Sequence, residues 1–166
     1  GDVLFEELEN INDIFVDIGH SLLTPIRYLY PHTEHLFSYR IEDGTYKFEP
    51  TLDKTERIIF GARSCDVTAA KYLDDFFARD YEDAYYFARR QHISFISIAC
   101  LTPPEPTCFC PCTDSGPYLK DFYDIQLVDI GDRYFVEIGS AKGLALISGV
   151  SSQVSFAEAT KEDVEA

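Results

Sequence analysis

The 166-residue sequence contains no methionine and opens on Gly1-Asp2, so it reads as a piece of a longer polypeptide. No apolar run approaches the ~20 residues that a membrane-spanning helix needs. No basic stretch followed by an apolar one marks a leader. Positive charge is scarce: 14 Lys and Arg stand against 29 Asp and Glu, a formal net charge of −15. Phosphate backbones and anionic lipid need basic patches that release counterions, so neither nucleic acid nor membrane is an expected partner. The acidity suits a dissolved cytoplasmic protein and can also steer a basic partner. Disorder is excluded on other grounds. With 46% hydrophobic and 26% charged residues, the chain holds enough apolar material for a full core. It reads as one domain over residues 1–166.

The apolar residues are patterned. Leu4, Phe5, Leu8, Ile11, Phe15 and Ile18 recur at spacings of three and four, which predicts an amphipathic helix over 2–19. Pro25 and Pro31 bracket an extended stretch. A strand over Leu36–Ile41, a turn at Asp43-Gly44 and a return through Tyr46 and Phe48 read as a hairpin. Arg57–Gly61 and Ile93–Ala99 are short apolar runs of the buried-strand type. Between them lies a helix with Val67, Ala70, Leu73 and Phe77 on one face and Asp66 as its expected cap, then a second helix over 82–92. Residues 101–118 hold five of the eight prolines and read as a long structured loop. Ile125–Ile130 and Tyr134–Ile138 flank a turn at Gly131-Asp132. Leu144–Val150 is short and apolar, and the acidic tail from Ala157 to Ala166 is a weak helix or frayed end. The predicted class is α/β: a mixed sheet with a parallel βαβ core, flanking helices and a Cys/Pro-rich loop.

Cysteine usage carries the chemical signal. The five cysteines are Cys65, Cys100, Cys108, Cys110 and Cys112. An odd count in a chain able to bury its own core disfavours a disulfide scaffold, and thiols two residues apart close only a strained loop. The strand–helix–strand order over 57–99 is a crossover whose two strands lie parallel. Cys65 and Cys100 each fall just past the carboxyl end of one strand, the edge where open α/β sheets bind ligands. The loop carrying the other three thiols leaves from the same edge. Five thiols remote in sequence thus converge.

Two kinds of centre suit such a group. An extended Cys-x-Cys pair places its Cα atoms roughly 6.5–7 Å apart, whereas tetrahedral zinc wants sulfurs only ~3.8 Å apart. A four-iron cluster holds its thiolates on separate irons and suits the wider spacing. Zinc sites also usually carry paired C-x₂₋₄-C knuckles, which are absent. Geometry therefore favours a cluster over a single ion, with zinc or inert and redox thiols as the alternatives.

The ordered motifs point further. Phe60 to Asp74 contains a G-x-R-x-C-D-x-x-A segment through Arg63, Cys65 and Asp66. Tyr30-Pro31-His32-Thr33-Glu34, Asp83 to Arg90, Ala99-Cys100, Thr107-Cys108-Phe109-Cys110, Asp114 to Pro117 and Val136 to Gly143 accompany it in order. This series resembles a family of anaerobic oxidoreductase subunits, the anaerobic sulfite reductase A subunit and the beta subunit of NiFe sulfhydrogenases, over most of residues 25–145. The resemblance implies an iron–sulfur subunit that passes electrons between a flavoprotein and a catalytic subunit. It also implies a 4Fe-4S cluster and supplies Cys65, Cys100, Cys108 and Cys110 as matching positions. Their joint use as ligands follows from the convergence argument. Family members usually continue into a ferredoxin-like module with repeated C-x-x-C-x-x-C ligands, and no such repeat occurs here. Cys112 departs from the family pattern, either as a substitute ligand or a bystander. The competing reading is a docking module with a Cys₄ zinc site or no metal.

Other residues carry weaker signals. Arg63 is the nearest cation to the thiols, with a surface ion pair as its ordinary role. His32 and His35 at i, i+3 lack a third ligand and read as a surface pair, and His20 and His92 as helix-end residues. Gly139 to Gly143 fits neither phosphate-loop pattern and reads as a plain turn. No G-x-S-x-G elbow occurs. The aromatics fill the core for the most part, with Tyr85, Tyr86 and Phe87 as candidates to face a partner subunit.

Overall fold

The computed structural model describes residues 4–16 and 21–165. Two strands, β1 (Phe37–Glu42) and β2 (Thr45–Pro50), pair antiparallel as a separate ribbon. Asp43 and Gly44 close it with φ of 51° and 73°, the left-handed pair that a two-residue hairpin turn requires. The main sheet runs β3 (Arg57–Ala62), β4 (Ile93–Ile98), β5 (Ile125–Asp129) and β6 (Tyr134–Ile138) in spatial order. β3, β4 and β5 are parallel, and β6 returns antiparallel from the Gly131 turn. Helices α1 (Ser64–Ala78) and α2 (Ala84–Arg90) form the crossover between β3 and β4. Helix α3 (Ala141–Val150) follows β6, and α4 (Lys161–Glu165) lies near the end of the chain. The architecture is the mixed α/β fold read from the sequence, with the loop over 101–118 broken by one 3-10 turn at Cys110–Thr113.

One face of the sheet builds the core. Register sets Ile59 opposite Phe95 and Arg57 opposite Ile93, so Ile59, Ile93 and Phe95 share a face. Against it lie Val67 and Ala70 from α1, Tyr86 from α2, and Leu29 and Leu119. Each large side chain so buried contributes roughly 1.5–3 kcal/mol. Tyr86 is 1% exposed and stacks on Phe77 with ring centroids 4.5 Å apart. Its hydroxyl donates to the Asp74 carboxylate, which also accepts from Arg90 Nε at 3.0 and 3.2 Å. Tyr86 therefore belongs to the interior and cannot face a partner, while Tyr85 and Phe87 are half-buried. Arg89, 4% exposed, donates from Nε to the Leu29 carbonyl at 2.8 Å and pairs with Glu34.

Two expectations are corrected. Residues 4–16 are not an α-helix: a single 3-10 turn covers Ile11–Asp13, with Asn10 accepting the Asn12 N–H at its start. Leu8, Ile11 and Phe15 stay 48, 78 and 62% exposed. A helix of that length needs an apolar face packed on something to be stable, and this segment packs little more than Phe5 on the core. The rest of the predicted helix, residues 2–3 and 17–19, lies outside the described residues. The stretch after Pro25 is likewise not extended. Thr24 caps a 3-10 turn over Pro25–Tyr28, where proline's fixed φ suits the first helical position.

Candidate metal centre

Local backbone chemistry aims the first thiol. Between Phe60 and Ala62 the β3–β4 register slips, so that Ala62 rather than Gly61 pairs with Ser97. Gly61 takes up the extra residue at φ +81°, a conformation glycine adopts without strain. The bulge turns the chain out of the sheet into Arg63, extended at the N-cap position of α1. Asp66 stands at the third helical position rather than the cap. Its carboxylate accepts the Arg63 backbone N–H at 3.1 Å and the Thr24 hydroxyl at 3.1 Å. Cys65 is thus the second residue of α1, where free N–H groups and the helix dipole favour a thiolate.

A single carbonyl ties three segments together. The Pro117 oxygen accepts from Ser64 Oγ at 2.7 Å and from the Cys100 backbone N–H at 3.1 Å. It joins the start of α1, the exit of β4 and the returning end of the Cys/Pro-rich loop. The loop then sets Gly116 against both Ser64 and Cys110: a Cβ placed on it would lie 3.2 Å from Ser64 Cβ and 3.3 Å from Cys110 Cβ, a little closer than carbon atoms ordinarily pack. The Cys110 carbonyl accepts the Ser115 N–H at 3.0 Å and the Thr113 hydroxyl at 3.2 Å. These bonds lock the 3-10 turn, which ends at Asp114 in the left-handed region.

The sulfurs sense one another across this junction. Cys65 lies within hydrogen-bonding reach of Cys110 and in the field of Cys100, and Cys100 in the field of both Cys108 and Cys110. Burial pushes the Cys65 thiol up to about 12, with the Asp66 carboxylate and the neighbouring sulfurs adding to it. Burial raises Cys100 as well, while the charge and hydrogen bond of Arg63 pull it back. All four of these thiols are half-buried, whereas Cys112 is exposed. Among the described residues no three His, Cys, Asp or Glu side chains form a group that could hold a metal ion as they stand. Four soft sulfur donors nonetheless fit a thiolate-bound cluster by their chemistry. A cavity of about 510 Å³ borders Cys65 and another of about 430 Å³ borders Cys100, and Arg63 lines both.

The remaining candidates take structural roles. His32 and His35 are exposed. His92 sits at the end of α2 with Nδ1 2.7 Å from the Ala88 carbonyl, and His20 lies outside the described residues. The Gly139–Gly143 stretch starts α3, with Ser140 Oγ accepting the Gly143 N–H at 3.1 Å. Sequence reasoning missed Gly61, Ser64, Gly116 and the Pro117 carbonyl. Gly61 closing an apolar run was the one local signal available.

The chain is an α/β domain with Cys65 and Cys100 just past the carboxyl ends of two parallel strands, and the Cys/Pro-rich loop returns to the same edge. Over 165 residues, 96% of its length, the chain is 28% identical to Sulfhydrogenase 2 subunit beta of Pyrococcus furiosus. It spans 45% of that relative's length. The likeness supports the hydrogenase beta subunit side of the resemblance read from the motifs. No family model and no solved structure matches the chain. Among the described residues no helix is long and apolar enough to cross a membrane.

Proposed function

We propose that this chain is an iron–sulfur electron-transfer portion of a cytoplasmic, anaerobic oxidoreductase complex of the hydrogenase type, standing between a flavoprotein subunit and a catalytic subunit. The sulfite reductase type is the variant of this reading that the motifs also allow. The observation that supports it is pairwise: Cys65 lies in the field of Cys110 and Cys100, and Cys100 in that of Cys108 and Cys110. On this reading Cys65, Cys100, Cys108 and Cys110 hold a 4Fe-4S cluster as thiolates, and Cys112, which is exposed, is a bystander. Such a cluster, when bound, supplies a one-electron carrier.

The chain's own residues prepare that site in separable ways. The Gly61 bulge and the Pro117 carbonyl tie the two strand ends to the loop, and the final approach of the four sulfurs is left for metal binding to accomplish. The N-terminus of α1 offers partial positive charge to Cys65. Burial makes Cys65 and Cys100 costly to ionise alone, so ligand deprotonation and metal uptake are coupled.

The test is anaerobic reconstitution of the protein with iron and sulfide. The expected product is brown, absorbs broadly near ~400 nm and carries roughly four iron per chain. Serine at Cys65, Cys100, Cys108 or Cys110 is expected to lower the iron content at least about tenfold, while Cys112→Ser leaves it unchanged. Colourless protein holding one zinc would replace the electron carrier with a docking module.

A further inference from the structure

We propose that the open edge of β3 accepts an extended, basic segment of a partner protein as an added strand of the main sheet. β3 stands at the end of that sheet's spatial order, so among the described residues no strand pairs with its outer side. Arg57 gives its N–H to the His92 carbonyl at 2.9 Å, and successive residues of a strand turn their N–H and C=O to opposite sides. With the register continuous from Arg57 to Phe60, Ile58 and Phe60 therefore aim both groups away from β4. Native edges are commonly blunted by lysine, proline or a covering element. Arg57–Ala62 holds neither lysine nor proline, its bulge at Gly61 lies beyond the regular part, and Ile58 is 54% exposed.

Space and charge define the occupant. A cavity of about 510 Å³ follows the chain from Thr55 to Gly61. Leu4 to Leu8 and Asp13 to Phe15 line it too, and neither stretch pairs with β3. Its lining carries five carboxylates, Glu6, Glu7, Asp13, Glu56 and Asp66, against the two guanidinium groups of Arg57 and Arg63. Arg57 is already paired with Asp53 at 3.0 Å. An acidic segment would be repelled there, and the net charge of −15 on the whole chain would add to the repulsion. A segment that alternates lysine or arginine with apolar residues matches both the carboxylates and the side chains of Phe5, Ile58 and Phe60. In strand addition the backbone hydrogen bonds give affinity and the side chains choose the sequence, while opposite charge speeds encounter and rejects wrong partners. The pairing is independent of metal at the thiols.

The probe is a capped peptide of alternating lysine and valine, about eight residues long so as to cover the strand. It is titrated into metal-free, ¹⁵N-labelled protein at low salt. Binding is expected to shift the amide signals of Ile58 and Phe60 and to slow their hydrogen exchange. A glutamate–valine peptide is expected to bind at least about tenfold more weakly, and so is a lysine–valine peptide N-methylated at alternate amides, which lacks the donors on one side. Ile58→Pro removes an outward N–H where an edge strand tolerates proline and is expected to weaken binding at least about tenfold, with circular dichroism checking the fold. Glu6→Gln combined with Glu7→Gln is expected to weaken it about threefold. Equal binding of the methylated and parent peptides overturns strand addition, whether or not the proline variant folds. Equal binding of the lysine and glutamate peptides overturns the basic chemistry. Absence of binding up to roughly 1 mM, or shifts that map away from β3, overturns the site.

Discussion

Helix α3 carries glycine at 143 and at 149, and alanine at the two positions is expected to act in opposite directions. Intrinsic propensity treats them alike, favouring Ala over Gly in a helix by up to ~1 kcal/mol. At Gly149 a Cβ meets nothing within 4 Å, so Gly149→Ala is expected to stabilise by about 0.5–1 kcal/mol. At Gly143 the Cβ would lie 1.9 Å from the Asp124 carbonyl oxygen and 2.7 Å from its carbonyl carbon. Backbone atoms cannot rotate aside, and carbon contacts relax only at about 3.5 Å or beyond. The start of α3 must therefore lift. That movement strains a connected set of bonds: Gly143 N–H to Ser140 Oγ, the Ser140 hydroxyl to Asp124, and Asp124 accepting the Phe95 N–H at 2.8 Å. Overpacking costs roughly 1–3 kcal/mol, and weakening one carboxylate hydrogen bond adds about 1.5 kcal/mol or more. Net destabilisation of about 3 kcal/mol is expected, lowering Tm by roughly 6–12 °C in a chain of this size. Thermal and urea unfolding followed by circular dichroism measures both variants. Two shifts of the same sign would refute the reasoning, because propensity would then outweigh the close approach.

Further outcomes follow from other groups. Cys65 is held protonated to about 12 against an ordinary 9.0, so the unfolded chain releases this proton first. The Cys65 contribution to the stability of metal-free protein is expected to be fully present below pH 9 and to be lost as pH rises from 9 toward 12. Cys65→Ser is expected to flatten part of that fall, and unfolding midpoints measured from pH 7 to 11 that do not change with pH would contradict it. Arg89→Ala strips a buried cation from the Leu29 carbonyl and Glu34. A loss of about 3–5 kcal/mol is expected from urea unfolding, and a loss below ~1 kcal/mol would mean that the pair is solvent-screened.

Much of the fold was legible because local pattern and tertiary role agree. The runs at Arg57–Gly61 and Ile93–Ala99 are apolar on both faces and flank helical periodicity, which leaves a parallel crossover as the simple solution. Asp43-Gly44 and Gly131 punctuate hairpins through dihedrals that few other residues adopt. The stretch over residues 2–19 misled for the opposite reason. Its three-and-four spacing is compatible with a helix, yet Leu8, Ile11 and Phe15 find no face to bury against. Asp66 was displaced by three positions because a capping carboxylate works from the third helical residue as well as from the cap. Tyr86 looked like one of three equivalent aromatics until the stacking of Phe77 and the Asp74 acceptor singled it out.

By itself the order of residues determined that Cys65 and Cys100 end parallel strands, and that a proline-rich loop brings more sulfur to the same edge. Periodicity and turn chemistry act over a few residues, and handedness of the crossover does the rest. Only the packed structure decided that Gly61 bulges, that Pro117 bridges Ser64 and Cys100, and that Gly116 lies against both Ser64 and Cys110. Those are contacts between segments whose approach depends on the shape of the whole backbone, to the nearest few tenths of an ångström in the case of Gly116.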